Sequence, residues 1–177
     1  VEDSTIHNNF AMSVGGGIAI SGGTLNVTNS TIAQNSTGEA QMSSGDGGGI
    51  YIESGVNAAL LASTVAFNNA GHEGGGIWTS GSLTLERTLI SNNVTNSGSG
   101  PEGSFSGGTI TSNGHNLVRE DTDFNFTSAT GDLVGSISSP IDPNILPLAD
   151  NGGKTPTIAL GGGSPAIDAG PTNSSPL

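Results

Sequence analysis

The chain has no cysteine, and its three basic residues stand against fifteen acidic ones, for a formal net charge of −12 and a pI near 4.1. Without thiols there are no disulfides to staple a fold and no thiolate chemistry. With so few Lys and Arg the surface repels phosphate, which argues against nucleic acid and anionic membranes as partners. No stretch approaches the roughly 18 apolar residues of a membrane span, so direct membrane insertion is not expected. The first residues lack a basic stretch followed by an apolar one, so any targeting segment is expected outside these 177 residues. Hydrophobic content is 32% and charged content 10%, alongside 30 Gly. That balance would suggest disorder, except that the apolar residues are periodic.

What is present is a repeat. Ser63-Thr64-Val65 is matched by Ser4-Thr5-Ile6, Ser30-Thr31-Ile32 and Thr88-Leu89-Ile90. An Asn follows three residues after each apolar position, at Asn9, Asn35, Asn68 and Asn93. Gly-Gly-Gly-Ile comes next, at 15–18, 47–50 and 74–77, and Gly107-Gly108-Thr109-Ile110 reads as a worn fourth copy. Ile6, Ile32, Val65 and Ile90 lie 26, 33 and 25 residues apart, a period that signals a solenoid. Val1 to Ile6 matches Val27 to Ile32, so the chain opens in mid-repeat, as a fragment or an assembly subunit would.

Within each repeat the apolar residues alternate in short bursts bounded by Gly, Ser and Asn: Ile18 and Ile20, Leu25 and Val27, Ile50 and Ile52, Leu83 and Leu85. Period-two bursts indicate strands, and no helical period competes. The expected fold is all-β, a right-handed parallel β-helix with three short strands per coil and a modified C-terminal cap. Residues 1–112 would be repeats, 113–170 C-terminal coils and cap, and 171–177 a linker or tail. Stacked coils would place the Asn series in a ladder at a bend. Triple glycine fits a tight corner better than a phosphate cradle, because no Lys, Ser/Thr pair or helix follows it. Insertions between the Asn and the glycines, at 36–46 and 94–106, mark the face on which binding is expected.

The run through Gly114-His115-Asn116-Leu117, Gly131-Asp132-Leu133, Asp142-Pro143, Leu148-Ala149-Asp150-Asn151-Gly152-Gly153, Thr155-Pro156-Thr157 and Ser164-Pro165-Ala166-Ile167-Asp168-Ala169-Gly170 resembles the C-terminal part of bacterial choice-of-anchor Q surface proteins. The Gly-Gly-Gly-Ile repeats resemble those of polymorphic outer-membrane proteins. Together the resemblances cover nearly the whole chain. They imply an extracellular or cell-surface location and a structural or adhesive role.

Enzymes also use this architecture. A polysaccharide lyase needs a strong base near calcium-binding carboxylates, and the chain offers only Arg87, Arg119 and Lys154. A glycoside hydrolase needs paired carboxylates on one face, whereas the repeat strands carry only Glu53 and Glu86. His7, His72 and His115 are isolated. No catalytic residue is assigned. Asp121, Asp123 and Asn125 alternate, and Asp132 completes a twelve-residue span, so calcium is the one candidate cofactor; Phe126 stands where a calcium loop of the EF-hand type requires Gly. Six Asn-x-Ser/Thr sequons begin at Asn26, Asn29, Asn35, Asn93, Asn125 and Asn173, candidate glycan sites if the source modifies them. A Thr column at Thr5, Thr31 and Thr64 is too narrow for an ice-binding face.

Tyr51 and Trp78 follow Ile50 and Ile77 and should stack outward on one sheet, offering a glycan or assembly contact. The expected function is a non-enzymatic extracellular structural or adhesive module, its partners being cell-surface glycans or proteins, or further copies of itself joined head to tail through open coil edges. A carbohydrate-binding or carbohydrate-active β-helix is the alternative.

Overall fold

The computed structural model describes residues 1–38 and 44–171. The chain is all-β, and no helix occurs among the described residues. The first coil contains β1 (Thr5–His7), β2 (Phe10–Ala11), β3 (Ile18–Ile20) and β4 (Thr24–Thr28). The second contains β5 (Thr31–Ala33), β6 (Ser36–Thr37), β7 (Ile50–Ile52) and β8 (Asn57–Leu61). The third contains β9 (Thr64–Ala66), β10 (Asn69–Ala70), β11 (Ile77–Thr79) and β12 (Ser82–Glu86). The fourth contains β13 (Leu89–Ser91), β14 (Val94–Thr95), β15 (Gly103–Phe105) and β16 (Thr109–Ser112). Equivalent strands pair in parallel from coil to coil, as do β17 (Leu117–Val118) and β18 (Leu133–Val134) beyond β13. The result is a solenoid of stacked parallel sheets.

Each coil has four strands rather than the expected three. The extra strand is two residues long and follows the repeated Asn, and two residues are too few to show an alternation. A second correction concerns the glycines. Gly103 pairs with Ile77, and Thr109 to Ser112 pair with Ser82 to Leu85. The fourth copy of Gly-Gly-Gly-Ile is therefore Gly100-Pro101-Glu102-Gly103, not 107–110. Its corner is unchanged: Gly100 has φ +65°, against +64°, +66° and +64° at Gly15, Gly47 and Gly74.

Period-two alternation sends every second side chain inward, where equivalent residues stack. Ile6, Ile32, Val65, Ile90, Val118 and Val134 form one column, and Ile18, Ile50 and Ile77 another. Leu25, Ala58, Leu83 and Ile110, with Val27, Leu60 and Leu85, line the remaining wall. The middle coils are sealed, with Ile32, Ile50, Val65, Ile77, Leu85 and Ile90 all at 0% exposure.

Beyond the fourth coil the grammar is compressed. Phe124 lies fully buried over Gly103, stacked on Phe126, and an added Cβ at Gly103 would collide with the Phe124 ring. The residues expected as an end cap mostly do something else. β19 (Ile145–Ala149) and β20 (Thr157–Leu160) form an antiparallel hairpin that lies along the flank of the β1-β5-β9-β13 sheet. Thr5 Oγ1 donates to the Pro156 carbonyl at 2.5 Å, and a groove shared by Ser63, Thr64, Leu89, Ile145, Ile158 and Leu160 continues the contact. The Thr column is thus partly covered; Thr31 is only 6% exposed.

Candidate functional site

Two corners of every coil use a left-handed residue followed by a polar one. Asn8, Gln34, Phe67 and Asn92 have φ between +56° and +59°, and each precedes an Asn of the repeat series. Non-glycine residues in this conformation cost about 1–3 kcal/mol each unless their surroundings hold them. Here a ladder does so. The Asn35 Oδ1 accepts from both the backbone N and the Nδ2 of Asn9, at 3.0 and 2.9 Å. Asn68 does the same for Asn35, and Asn93 for Asn68, all at 3.0 Å. Each Nδ2 also donates to a carbonyl of the previous coil: Ile6, Ile32 and Val65. The third glycine of each triplet makes room, since a Cβ at Gly76 would meet the Asn93 Nδ2 at 2.8 Å.

The ladder runs out at Asn93, and Glu102 takes over from the next Asn. Standing where earlier coils have that third glycine, it turns its carboxylate into the vacated place. Oε2 accepts from Asn93 Nδ2 at 2.8 Å and Asn93 N at 3.3 Å, and Oε1 accepts from Asn92 N at 3.0 Å. The side chain is 0% exposed, with Arg119 3.9 Å away. Burial pushes the Glu102 carboxyl up to about 7, against the Asn93 hydrogen bonds and Arg119, which pull it down; Glu120 nearby adds to the rise.

A second corner repeats the logic. Asp3, Asn29, Ala62 and Arg87 are left-handed and precede Ser4, Ser30, Ser63 and Thr88. Ser30 Oγ accepts from Ser4 N, Ser63 Oγ from Ser30 N, and Asn116 Oδ1 from Thr88 N. This ladder also ends on a carboxylate. Asp132 Oδ1 accepts from Asn116 N at 2.7 Å and Asn116 Nδ2 at 3.0 Å, while Oδ2 accepts from Ser112 Oγ at 2.6 Å and Ala129 N at 2.7 Å.

The outward positions of β3, β7, β11 and β15 are Ala19, Tyr51, Trp78 and Ser104. Tyr51 and Trp78 stack with ring centroids 4.5 Å apart and planes within 4°, both half-buried. Ser104 is buried and donates to Glu73 Oε2 at 3.1 Å. Beside the rings His72 Nδ1 donates to Asp46 Oδ1 at 3.0 Å, as does Glu73 N. Asp46, His72 and Glu73 offer ligand atoms within 4.8 Å of one another, the one such group among the described residues. Their mutual hydrogen bonds account for the arrangement. On the far side of Tyr51 a groove of about 300 Å³ is lined by Val14, Ala19, Ile20, Ser21, Tyr51 and Glu53. Partial burial, then Glu53 and Asp46, raise the Tyr51 hydroxyl above its ordinary pKa.

Comparison with family models, curated proteins and solved structures gives no match.

Several residues singled out in the sequence have other employment. The carboxylates of Asp121, Asp123 and Asp132 do not form a group with ligand atoms within 4.8 Å of one another. Asp132 is held at the ladder end, Asp123 gives its carbonyl to Phe105 N at 2.8 Å, and the Asp121 carbonyl closes a turn with Phe124 N. The spacing serves to insert Phe124 and Phe126. Among the sequons, Asn35 and Asn93 are 1% and 3% exposed, with their amide nitrogens engaged, so the folded chain does not present them for glycosylation. Asn26, Asn29 and Asn125 are exposed, and Asn173, with most of the tail, lies outside the described residues.

Arg119 faces the buried Glu102, while Arg87 lies 3.5 Å from Glu86. His115 Nδ1 donates to the Ala169 carbonyl at 2.8 Å, tying the C-terminal segment to the solenoid. Sequence reasoning missed Glu102 and the Asp46–His72–Glu73 group. A signal for the latter existed: Asp46 and Glu73 each immediately precede a triple glycine.

Proposed function

We propose that the solenoid is a right-handed parallel β-helix acting as a non-enzymatic, extracellular or cell-surface adhesive module, with the outward row around Tyr51 and Trp78 as its contact surface. The handedness follows the strong right-handed preference of parallel crossover connections. The observation that carries the function is the stacked, half-exposed Tyr51–Trp78 pair. Aromatic rings held on a rigid sheet offer contact area at little entropic cost. The corner ladders, by contrast, satisfy their polar groups internally. The sequence resemblance to surface-anchored β-helices points the same way.

The test is retention of the purified chain on immobilised extracellular polysaccharide and protein fractions, with assays for released reducing ends and unsaturated sugars on the same samples. Retention that Tyr51→Ala with Trp78→Ala lowers about tenfold or more, without product, is the expected result. Product formation would instead support the polysaccharide lyase or glycoside hydrolase alternative. Failure to bind any fraction would end the adhesive reading.

A second reading has its own observation. β1, β2 and β3 each lie at the end of a sheet, with Phe10 and Met12 beside them 57% and 67% exposed, while the end strand β4 is already bonded to Val1 and Asp3. Such edges accept strands from a neighbour, as head-to-tail assembly requires. At the opposite end Phe124 and the Asp123 carbonyl already occupy β15, and assembly there would displace them. Electron microscopy and light scattering, with and without calcium, decide this reading: regular fibres favour it and monomers throughout remove it.

A further inference from the structure

Side chains on equivalent strands of a parallel stack recur about every 4.8 Å. The 4.5 Å separation and 4° angle of Tyr51 and Trp78 mean that the ring faces look along the solenoid axis. A third ring on the same row would stack on either outer face. On the Trp78 side that tier is filled by Ser104, buried and bonded to Glu73. On the Tyr51 side the next residue is Ala19, whose methyl group leaves the ring face uncovered. The groove of about 300 Å³ between Val14, Ala19, Ile20, Ser21, Tyr51 and Glu53 is this empty tier.

We infer that the tier over Ala19 is a binding subsite for a neutral hexopyranose unit of a glycan, stacked by its C–H face on Tyr51. Resting on the adhesive reading, the inference names the ligand class and the place. The walls are apolar at Val14, Ala19 and Ile20, while the rim is polar, with the exposed Ser21 hydroxyl and Glu53 carboxylate. A flat solute with an apolar face and a hydroxyl edge matches that division, because its hydroxyls donate to Glu53. Charge selects further. Glu53 and Asp46 both act on Tyr51, and the chain carries −12, so uronate and sulfated sugars are repelled.

The experiment titrates the full chain with cellohexaose and mannohexaose, followed by tryptophan fluorescence and by the Tyr51 ring signals in NMR, with hexagalacturonate as the charged counterpart. At least one neutral hexaose is expected to bind, with hexagalacturonate about tenfold or more weaker. Ala19→Trp fills the tier and is expected to cut neutral-hexaose affinity about tenfold or more. Tyr51→Leu, which keeps apolar volume but removes the ring, should match it, and Glu53→Gln should weaken binding several-fold. Circular dichroism melts confirm that each variant folds.

No binding of either neutral hexaose up to about 10 mM overturns the inference. So does undiminished binding by Ala19→Trp, or self-association that Ala19→Trp abolishes without any sugar response, which would give the tier to a second copy. These failures are separable from failure of the adhesive reading. A chain that stays on extracellular surfaces but ignores the hexaoses loses only the subsite, whereas one retained on no surface loses the adhesive role itself.

Discussion

The Asn corner and the Tyr–Trp row are built by the same register yet end differently. The Asn ladder closes on Glu102, a carboxylate that replaces the amide the contracted fifth coil does not supply and leaves no donor unanswered. The aromatic row ends at Ala19, which replaces a ring with a methyl group and leaves a face open. Any ladder in a finite solenoid has to stop. The residue at which it stops decides whether that end becomes part of the structure or a surface available to something else. The Ile18–Ile50–Ile77 column follows the closing rule, with the Phe124 ring set over Gly103, and the serine ladder does so with Asp132.

Opening a closed end should therefore be costly, and the apolar end most of all. Phe124→Ala removes a fully buried ring, and a loss of about 3–5 kcal/mol is expected in urea unfolding. Opening the Asn ladder comes next. Glu102→Ala strands the backbone donors of Asn92 and Asn93 and the Asn93 amide, with about 2–4 kcal/mol lost at pH 5.

Replacing Glu102 by Gln sharpens the comparison, since it keeps acceptor oxygen at the ladder end while removing the ionisable group. The Glu102 carboxyl titrates near 7 in the folded chain and at about 4.5 when unfolded. Between these values the folded state holds the proton more tightly, so this group's contribution to stability falls as pH rises from 4.5 to 7 and is flat above. The span is about 3 kcal/mol. The wild-type chain should lose that amount relative to Glu102→Gln across the window, as read from unfolding curves at several pH values. At the other carboxylate end Asp132→Ala should cost about 1–3 kcal/mol, as the Asn116 donors lose their acceptor.

The smallest effect has the opposite sign. Ala19→Trp should close the aromatic row and stabilise the chain by about 1 kcal/mol, because a third ring extends the stack. A neutral or destabilising result, measured by thermal melting, would mean that the tier is shaped otherwise than the register implies.

What the sequence made legible was the part with a strict period. Ile6, Ile32, Val65 and Ile90 fall into one column and Asn9, Asn35, Asn68 and Asn93 into another because residue type and spacing repeat together. Tyr51 and Trp78 were readable for the same reason. The terminators were not legible, because each breaks the pattern it completes. Glu102 sits where the repeat has glycine, and Pro101 and Gly103 disguise that copy so thoroughly that 107–110 matches the repeat's residue types better. Asp132 ends a contracted coil only 16 residues after Asn116, where its distance from Asp121 imitates a calcium loop. The groove beside Tyr51 depends on the smallness of Ala19, and a small residue announces nothing until register places it against a ring. The two-residue strands β2, β6, β10 and β14 are shorter than any period.

The most direct test of the closing rule is the difference in unfolding free energy between the wild-type chain and Glu102→Gln, measured at pH 5 and again at pH 8. The account predicts that the difference moves by about 2.5 kcal/mol in favour of Glu102→Gln as pH rises. Two parallel pH profiles would contradict it, showing that Glu102 titrates alike in the folded and unfolded chain and does not stand, buried, at the end of the Asn ladder.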